Sequence, residues 1–201
     1  MSKFIHGCFA LVLILVFSTP ATCKELTTYM SCNAGATLVG DSNLSDSTST
    51  DTVSYEFDPG YFVGVAFGNE VDKIRFEAEI GIQKSKVDSI TTNGIADPFD
   101  DNREIRLTTL MFNLYYDFLK GSRFTPYLSA GLGLGNMKLD KVSGSDAVAE
   151  YQIGAGMAFR ISDRVVLDLK GRYMETTKPQ FENSSLDFST FNGIFDVRIY
   201  F

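Results

Sequence analysis

From residue 26 onward the sequence alternates apolar and polar residues in long runs, and this period of two constrains the fold more than any other feature. Side chains that share a face at every second residue belong to a strand. The sharpest run is 73–87, where Ile74, Phe76, Ala78, Ile80 and Ile82 alternate with Arg75, Glu77, Glu79, Gly81 and Gln83. The same pattern recurs in 26–38, 59–68, 104–118, 125–139, 147–160, 165–175 and 189–201. After residue 23 no uninterrupted apolar run approaches the ~20 residues that a membrane-spanning helix needs. Such a chain can cross a membrane only as a closed barrel, in which every backbone group finds a partner.

The connections between these runs alternate in length. Those near 69–73, 119–124 and 161–164 are short, whereas 40–58, 88–103, 140–146 and 175–188 are mostly longer, polar and turn-rich. Short periplasmic turns and longer outside loops are the pattern of outer-membrane barrels. The sequence therefore predicts an all-β fold: an eight-stranded, antiparallel, up-and-down transmembrane β-barrel with both ends on the periplasmic side.

Alternation alone does not say which face meets lipid. The apolar faces are nearly free of charge for ~5 successive positions per strand, about what a ~25 Å apolar band requires. The other face mixes charges with glycines, among them Gly64, Gly68, Gly81, Gly131, Gly133, Gly154 and Gly156. Small residues leave room for long ones in a narrow interior. Aromatics near strand ends (Tyr116, Phe118, Phe124, Tyr127, Phe159, Tyr173, Tyr200 and Phe201) suggest interfacial girdles. The apolar face is therefore read as outward.

That assignment sends Arg75, Arg160, Lys170, Arg172 and Arg198 inward together with Glu77, Glu79, Asp117, Glu150, Asp168 and Asp196. Unpaired charge in so narrow a space is costly, so these groups are expected to pair. They are read as structural lumen charges that plug the barrel and hold neighbouring strands in register. Eight strands enclose room only for side chains or one small ligand.

Residues 1–23 read as a cleaved signal peptide: Lys3, an apolar run from Cys8 to Phe17, then Ser18-Thr19-Pro20-Ala21-Thr22-Cys23. Cleavage after Ala21 and after Cys23 both fit. Pro20-Ala21-Thr22 resemble a lipoprotein cleavage box poorly, which argues against lipidation of Cys23. The barrel domain is then 24–201. The leader takes with it Lys3 and no acid, so a net charge of −7 becomes −8. An acidic chain is a poor partner for nucleic acid. The leader also removes His6, the sole histidine, and with it the commonest general base and metal ligand. One or two remaining cysteines make no disulfide framework. The acidic run Asp97-Pro98-Phe99-Asp100-Asp101-Asn102 lacks the spacing of a calcium loop and reads as solvated. No catalytic residue, cofactor or metal is indicated.

Three segments carry a family resemblance. Thr109-Leu110-Met111-Phe112-Asn113-Leu114-Tyr115-Tyr116-Asp117-Phe118, Thr125-Pro126-Tyr127-Leu128-Ser129-Ala130-Gly131-Leu132-Gly133-Leu134-Gly135 and Tyr151-Gln152-Ile153-Gly154-Ala155-Gly156-Met157 resemble the opacity and surface-antigen type, OmpA-like eight-stranded outer-membrane barrels. The resemblance covers 25–201 and is strongest over 104–201. It implies location in the cell outer membrane of a Gram-negative organism. It also implies that the terminal aromatic, here Phe201 after Phe195-Asp196-Val197-Arg198-Ile199-Tyr200, is a signal read by the outer-membrane assembly machinery.

The functional expectation is a non-enzymatic surface protein, envelope-structural, antigenic or adhesive, acting through its outer loops. Its partners would be outer-membrane lipid, the assembly machinery and a host surface molecule, with the barrel itself a monomer. The alternative is a small porin-like channel. Membrane-embedded lipases and proteases of this shape depend on a histidine that the chain without its leader lacks.

Overall fold

A computed structural model describes residues 26–40, 42–46, 53–92, 95–98, 104–139, 145–177, 180–181, 184–185 and 189–201. The expected leader, with His6, Cys8 and Cys23, lies outside the described residues. Eight long strands form the body: β1 (Thr27–Val39), β2 (Gly60–Val71), β3 (Ile74–Thr92), β4 (Glu104–Asp117), β5 (Phe124–Leu139), β6 (Ser145–Arg160), β7 (Val165–Thr176) and β8 (Ser189–Tyr200). Each pairs antiparallel with the next. The ring closes where β1 pairs with β8, from Tyr29 opposite Tyr200 to Val39 opposite Thr190. No long edge of the ring is left to template aggregation.

The apolar face is outward, as expected from its charge-free stripes and the glycine-rich polar face opposite. Met30, Val65, Phe76, Leu114, Leu132, Ile153, Phe195 and many like them stand exposed. Leu132 exposes 70% of its surface, whereas Arg75 on the other face exposes 1%. A water-soluble protein does not present an all-round apolar surface of this kind. A bilayer requires it.

Three tight turns close one end. β2 runs straight to Val71, and Asp72 and Lys73 alone make the turn to β3, with Asp72 at φ 57°. Asp is one of the few residues that tolerates the left-handed region. The turn after β4 places Gly121 at φ 89°, where a side chain would be strained. Asn69, Glu70 and Val71, expected in a connection, are strand residues, because they keep the alternation of Phe62, Ala66 and Gly68 going.

The long connections are partly strands. Ser42–Asp46 pairs with Val53–Phe57, which pairs with the upper part of β3. Ile95–Pro98 folds back on β3, and Ser184–Ser185 joins Ser42–Asp46. These stretches lie within 40–58, 88–103 and 175–188, expected to be loops because their Ser/Thr/Asp content breaks the apolar alternation. The ladder is made by the backbone, and Val, Tyr and Thr in these stretches suit it.

Candidate functional site

The eight interior faces meet in a packed polar core. Nearest the tight turns, Arg75 on β3 makes a forked contact with Asp117 on β4, Nε donating to Oδ2 at 3.0 Å and Nη2 to Oδ1 at 2.9 Å. Its guanidinium lies 4.4 Å from the Tyr115 ring centre and 4.7 Å from that of Tyr127. Arg198 on β8 repeats the device with Asp168 on β7, at 2.8 and 3.0 Å. Forked arginine–carboxylate pairs fix orientation as well as charge. Both pairs join neighbouring strands.

Glu79 behaves differently. It accepts from Arg172 Nη1 at 2.6 Å and has Lys170 Nζ at 3.7 Å, both on β7, four strands away around an eight-strand ring. Asn33 on β1 donates to it at 2.9 Å. The contact is therefore a strut across the lumen and not a clasp between neighbours. Arg172 also stacks over the Phe62 ring at 4.1 Å. Among the described residues, no cation pairs with Glu77. Its oxygens accept from Tyr29 Oη at 3.0 Å, Tyr115 Oη at 2.7 Å and Asn113 Nδ2 at 3.3 Å.

Arg75 with Asp117, Arg198 with Asp168, and Arg172 and Lys170 with Glu79 therefore lie in ion pairs, while the other four inward charges are placed differently. Glu77 is satisfied by hydroxyls and an amide. Glu150 is buried, yet neither carboxylate oxygen meets a hydrogen-bond donor among the described residues. Asp196 is buried, and its Oδ1 is in the same position. Arg160 ends the interior row of β6 but is exposed at the rim, where it borders a small cleft with Glu70, Lys120 and Tyr200. Its place one residue from the turn lets the long side chain reach water.

Glu70, in the stretch expected to be a short connection, is a further inward charge. It is buried, held by Lys120 at 2.8 Å and by the Tyr200 hydroxyl at 2.5 Å. Tyr127 and Tyr200, expected in an aromatic girdle, instead face inward and cluster with Tyr29 and Tyr115. Their parity, opposite that of Leu128 and Ile199, carried that information. The girdle at this end retains Tyr116 with Phe118, 5.3 Å between ring centres, and Phe124 with Phe159 at 5.1 Å. Toward the other end the lumen turns apolar, with Ile105, Leu107, Met137, Val148 and Met174 packed together. Between tyrosine layer and apolar layer, long side chains fill the interior. The side chains of 97–102 lie outside the described residues. Among the described residues, no group of three His, Cys, Asp or Glu is placed to hold a metal ion.

Known proteins share this architecture. The family model described as outer membrane protein beta-barrel domain matches residues 9–198. An 87-residue stretch is 32% identical to outer membrane protein PagN of Salmonella typhimurium, covering 37% of this chain and 36% of that protein. The match thus spans about a third of that relative's length. Neisserial surface protein A superimposes with a TM-score of 0.61 at 18% identity, over 89% of this chain and all of the other. OprG from Pseudomonas aeruginosa gives 0.59 at 14%, over 88% and 97%. At these identities the structural matches speak to the fold alone. Taken with the outward apolar belt and the closed ring, the family match shows that the chain belongs to the OmpA-like, eight-stranded outer-membrane β-barrel proteins of Gram-negative cells and resides in the outer membrane.

Proposed function

We propose that this protein is a non-enzymatic surface protein that contacts a host molecule through its extracellular connections. The barrel serves as its rigid monomeric carrier. The observation that carries this reading is the filled interior. Arg75, Tyr115 and Tyr127 stack across one end, Glu79 and Arg172 bridge the middle, and the apolar cluster around Leu107 and Met174 occupies the other end. A lumen packed in this way supplies neither a water-filled path nor a substrate cavity. What the barrel can offer a partner is then at its ends, and the long connections are there. Connections carry recognition residues more often than the scaffold does.

The same general fold also houses a protease, OmpT of Escherichia coli, at a TM-score of 0.51 and 7% identity. Against a hydrolytic role here stands the chemistry of the described interior, which holds ion pairs and tyrosines but no histidine.

Deleting 41–58 tests the proposal. The shortened protein should still assemble and show heat-modifiable gel migration, while binding of the bacteria to host cells falls. Unchanged binding after deletion of each long connection in turn would refute the adhesive reading. Planar-bilayer recordings address the channel alternative: discrete conductance steps at high salt from purified protein would replace the proposal with a pore.

A further inference from the structure

The register of β3, β4 and β5 brings three cations side by side on the outer face. Lys84 pairs with Arg106, and Arg106 pairs with Lys138. All three have the parity of the lipid-facing residues Ile82, Leu110 and Leu134, and Arg106 and Lys138 are exposed. Lys86 follows two residues beyond Lys84 and is exposed as well. Directly opposed residues on adjacent strands have Cβ atoms only ~5 Å apart, and like charges so placed destabilise a sheet. Among the described residues, Asp58 and Glu104 are acids in register with Lys86, and Asp146 stands opposite Met137, whose parity is inward. Lys84 already has a contact within the protein, so Arg106 and Lys138 are the principal cations of the row.

The height of the row is as telling as its charge. Below it the outer faces of these strands carry Ile82, Thr108 and Asn136, and then only apolar side chains such as Ile80, Leu110 and Leu134. Two residues of strand are ~7 Å long. With strands tilted by ~40°, the row stands ~5 Å above Ile82 along the membrane normal. It lies at the end bearing the long connections, which is the extracellular side. These are therefore the first charges met where the apolar band ends in the outer leaflet.

We infer that the outward row Lys84–Arg106–Lys138 is a binding site for the phosphate groups of an outer-leaflet glycolipid, lipid A. A phosphate between the strands would neutralise the mutual repulsion. The planar arginine fork suits phosphate oxygens, and the flanking lysines add point charges. The glycolipid's acyl chains would lie along the apolar stripe below, and Tyr61, in register with Lys84 and exposed, would border its sugar.

The test uses the full folded chain in detergent, titrated in mixed micelles with bisphosphorylated lipid A, the same glycolipid with both phosphates removed, or phosphatidylglycerol. Bound lipid is counted by native mass spectrometry. Wild type should prefer the bisphosphorylated glycolipid over both others. Arg106→Gln with Lys138→Gln should weaken that binding roughly 30-fold, the effect of two cations lost near an anionic surface. Arg123→Gln, at the opposite end, should change nothing. Without lipid, the double variant should unfold at the same or a higher temperature, because repulsion is relieved. Should the double variant not fold, each single substitution gives the same reading at roughly fivefold. Wild-type affinity in the variants, or equal binding of the dephosphorylated glycolipid, would overturn the site. Equal binding of phosphatidylglycerol would overturn its assignment to a glycolipid.

Discussion

Glu79 is the residue whose loss should be felt across the whole barrel. It is fully buried and receives Arg172, Lys170 and Asn33. Glu79→Gln keeps an oxygen for Asn33 and nearly the same volume, so the change is electrostatic. At an effective dielectric of about 20, unit charges about 4 Å apart attract by about 4 kcal/mol. The cost of breaking a buried pair, which strands its partner without compensation, is ~3–5 kcal/mol. Domains are stable by only ~5–15 kcal/mol, so the variant should lose a large share of its margin.

The measurement is the folded fraction across a urea series in detergent, read by heat-modifiable gel migration. Arg172→Met alone should also be costly, because it leaves Glu79 with the more distant Lys170. Combined with Glu79→Gln it should cost less than the two effects added, by ~2–3 kcal/mol. A loss below ~1 kcal/mol for Glu79→Gln is what a solvent-exposed pair would give. Either that result or strict additivity would mean that water screens the strut and the interior is not a dry plug.

Two further outcomes follow from the same geometry. Gly156 faces Tyr127 across the β5–β6 pair, and a Cβ there would enter the tyrosine ring, so Gly156→Val should destabilise by ~1–3 kcal/mol; Gly193→Val, whose Cβ meets open space on the lipid face, should unfold at nearly the wild-type urea concentration. Phe201 is exposed beside β1, its N–H donating to Thr28 O at 3.0 Å, and Phe201→Ala should lower the amount of protein found in the outer membrane while the inserted fraction melts normally.

Much of this molecule was legible in its sequence because a barrel wall obeys one rule of parity. Ile74 to Ile82 face out and Arg75 to Gln83 face in for the same reason that adjacent pleats point opposite ways. Parity also held the correct answer for Tyr127 and Tyr200, and the girdle rule, which counts aromatics near strand ends whichever way they point, obscured it. Glu70 was hidden because Asn69 and Asp72 resemble a turn, and only Asp72 and Lys73 are needed to make one. The partner of Glu79 was beyond reach from sequence. Which residues meet across a lumen depends on how far the strands are staggered around the ring, a quantity set jointly by all eight registers.

That dependence explains why the interior and the exterior play different parts. The outer face has to satisfy one uniform solvent, so Leu, Ile, Val and Phe are interchangeable there, and its pattern reports location. The inner face has to satisfy itself, and every long side chain needs a specific counterpart. Glycines stand opposite tyrosines, Gly68 under Tyr29 and Gly156 under Tyr127, because each ring occupies the volume that its neighbour gives up. A substitution that opened a path through such a core would first have to remove a group that holds two or three others. Glu150 and the Oδ1 of Asp196 are the two carboxylate positions where the described network is incomplete. Charge neutralisation there by Glu150→Gln should therefore be tolerated far better than at Glu79. Equal losses in the urea series would mean that Glu150 too is held by its neighbours.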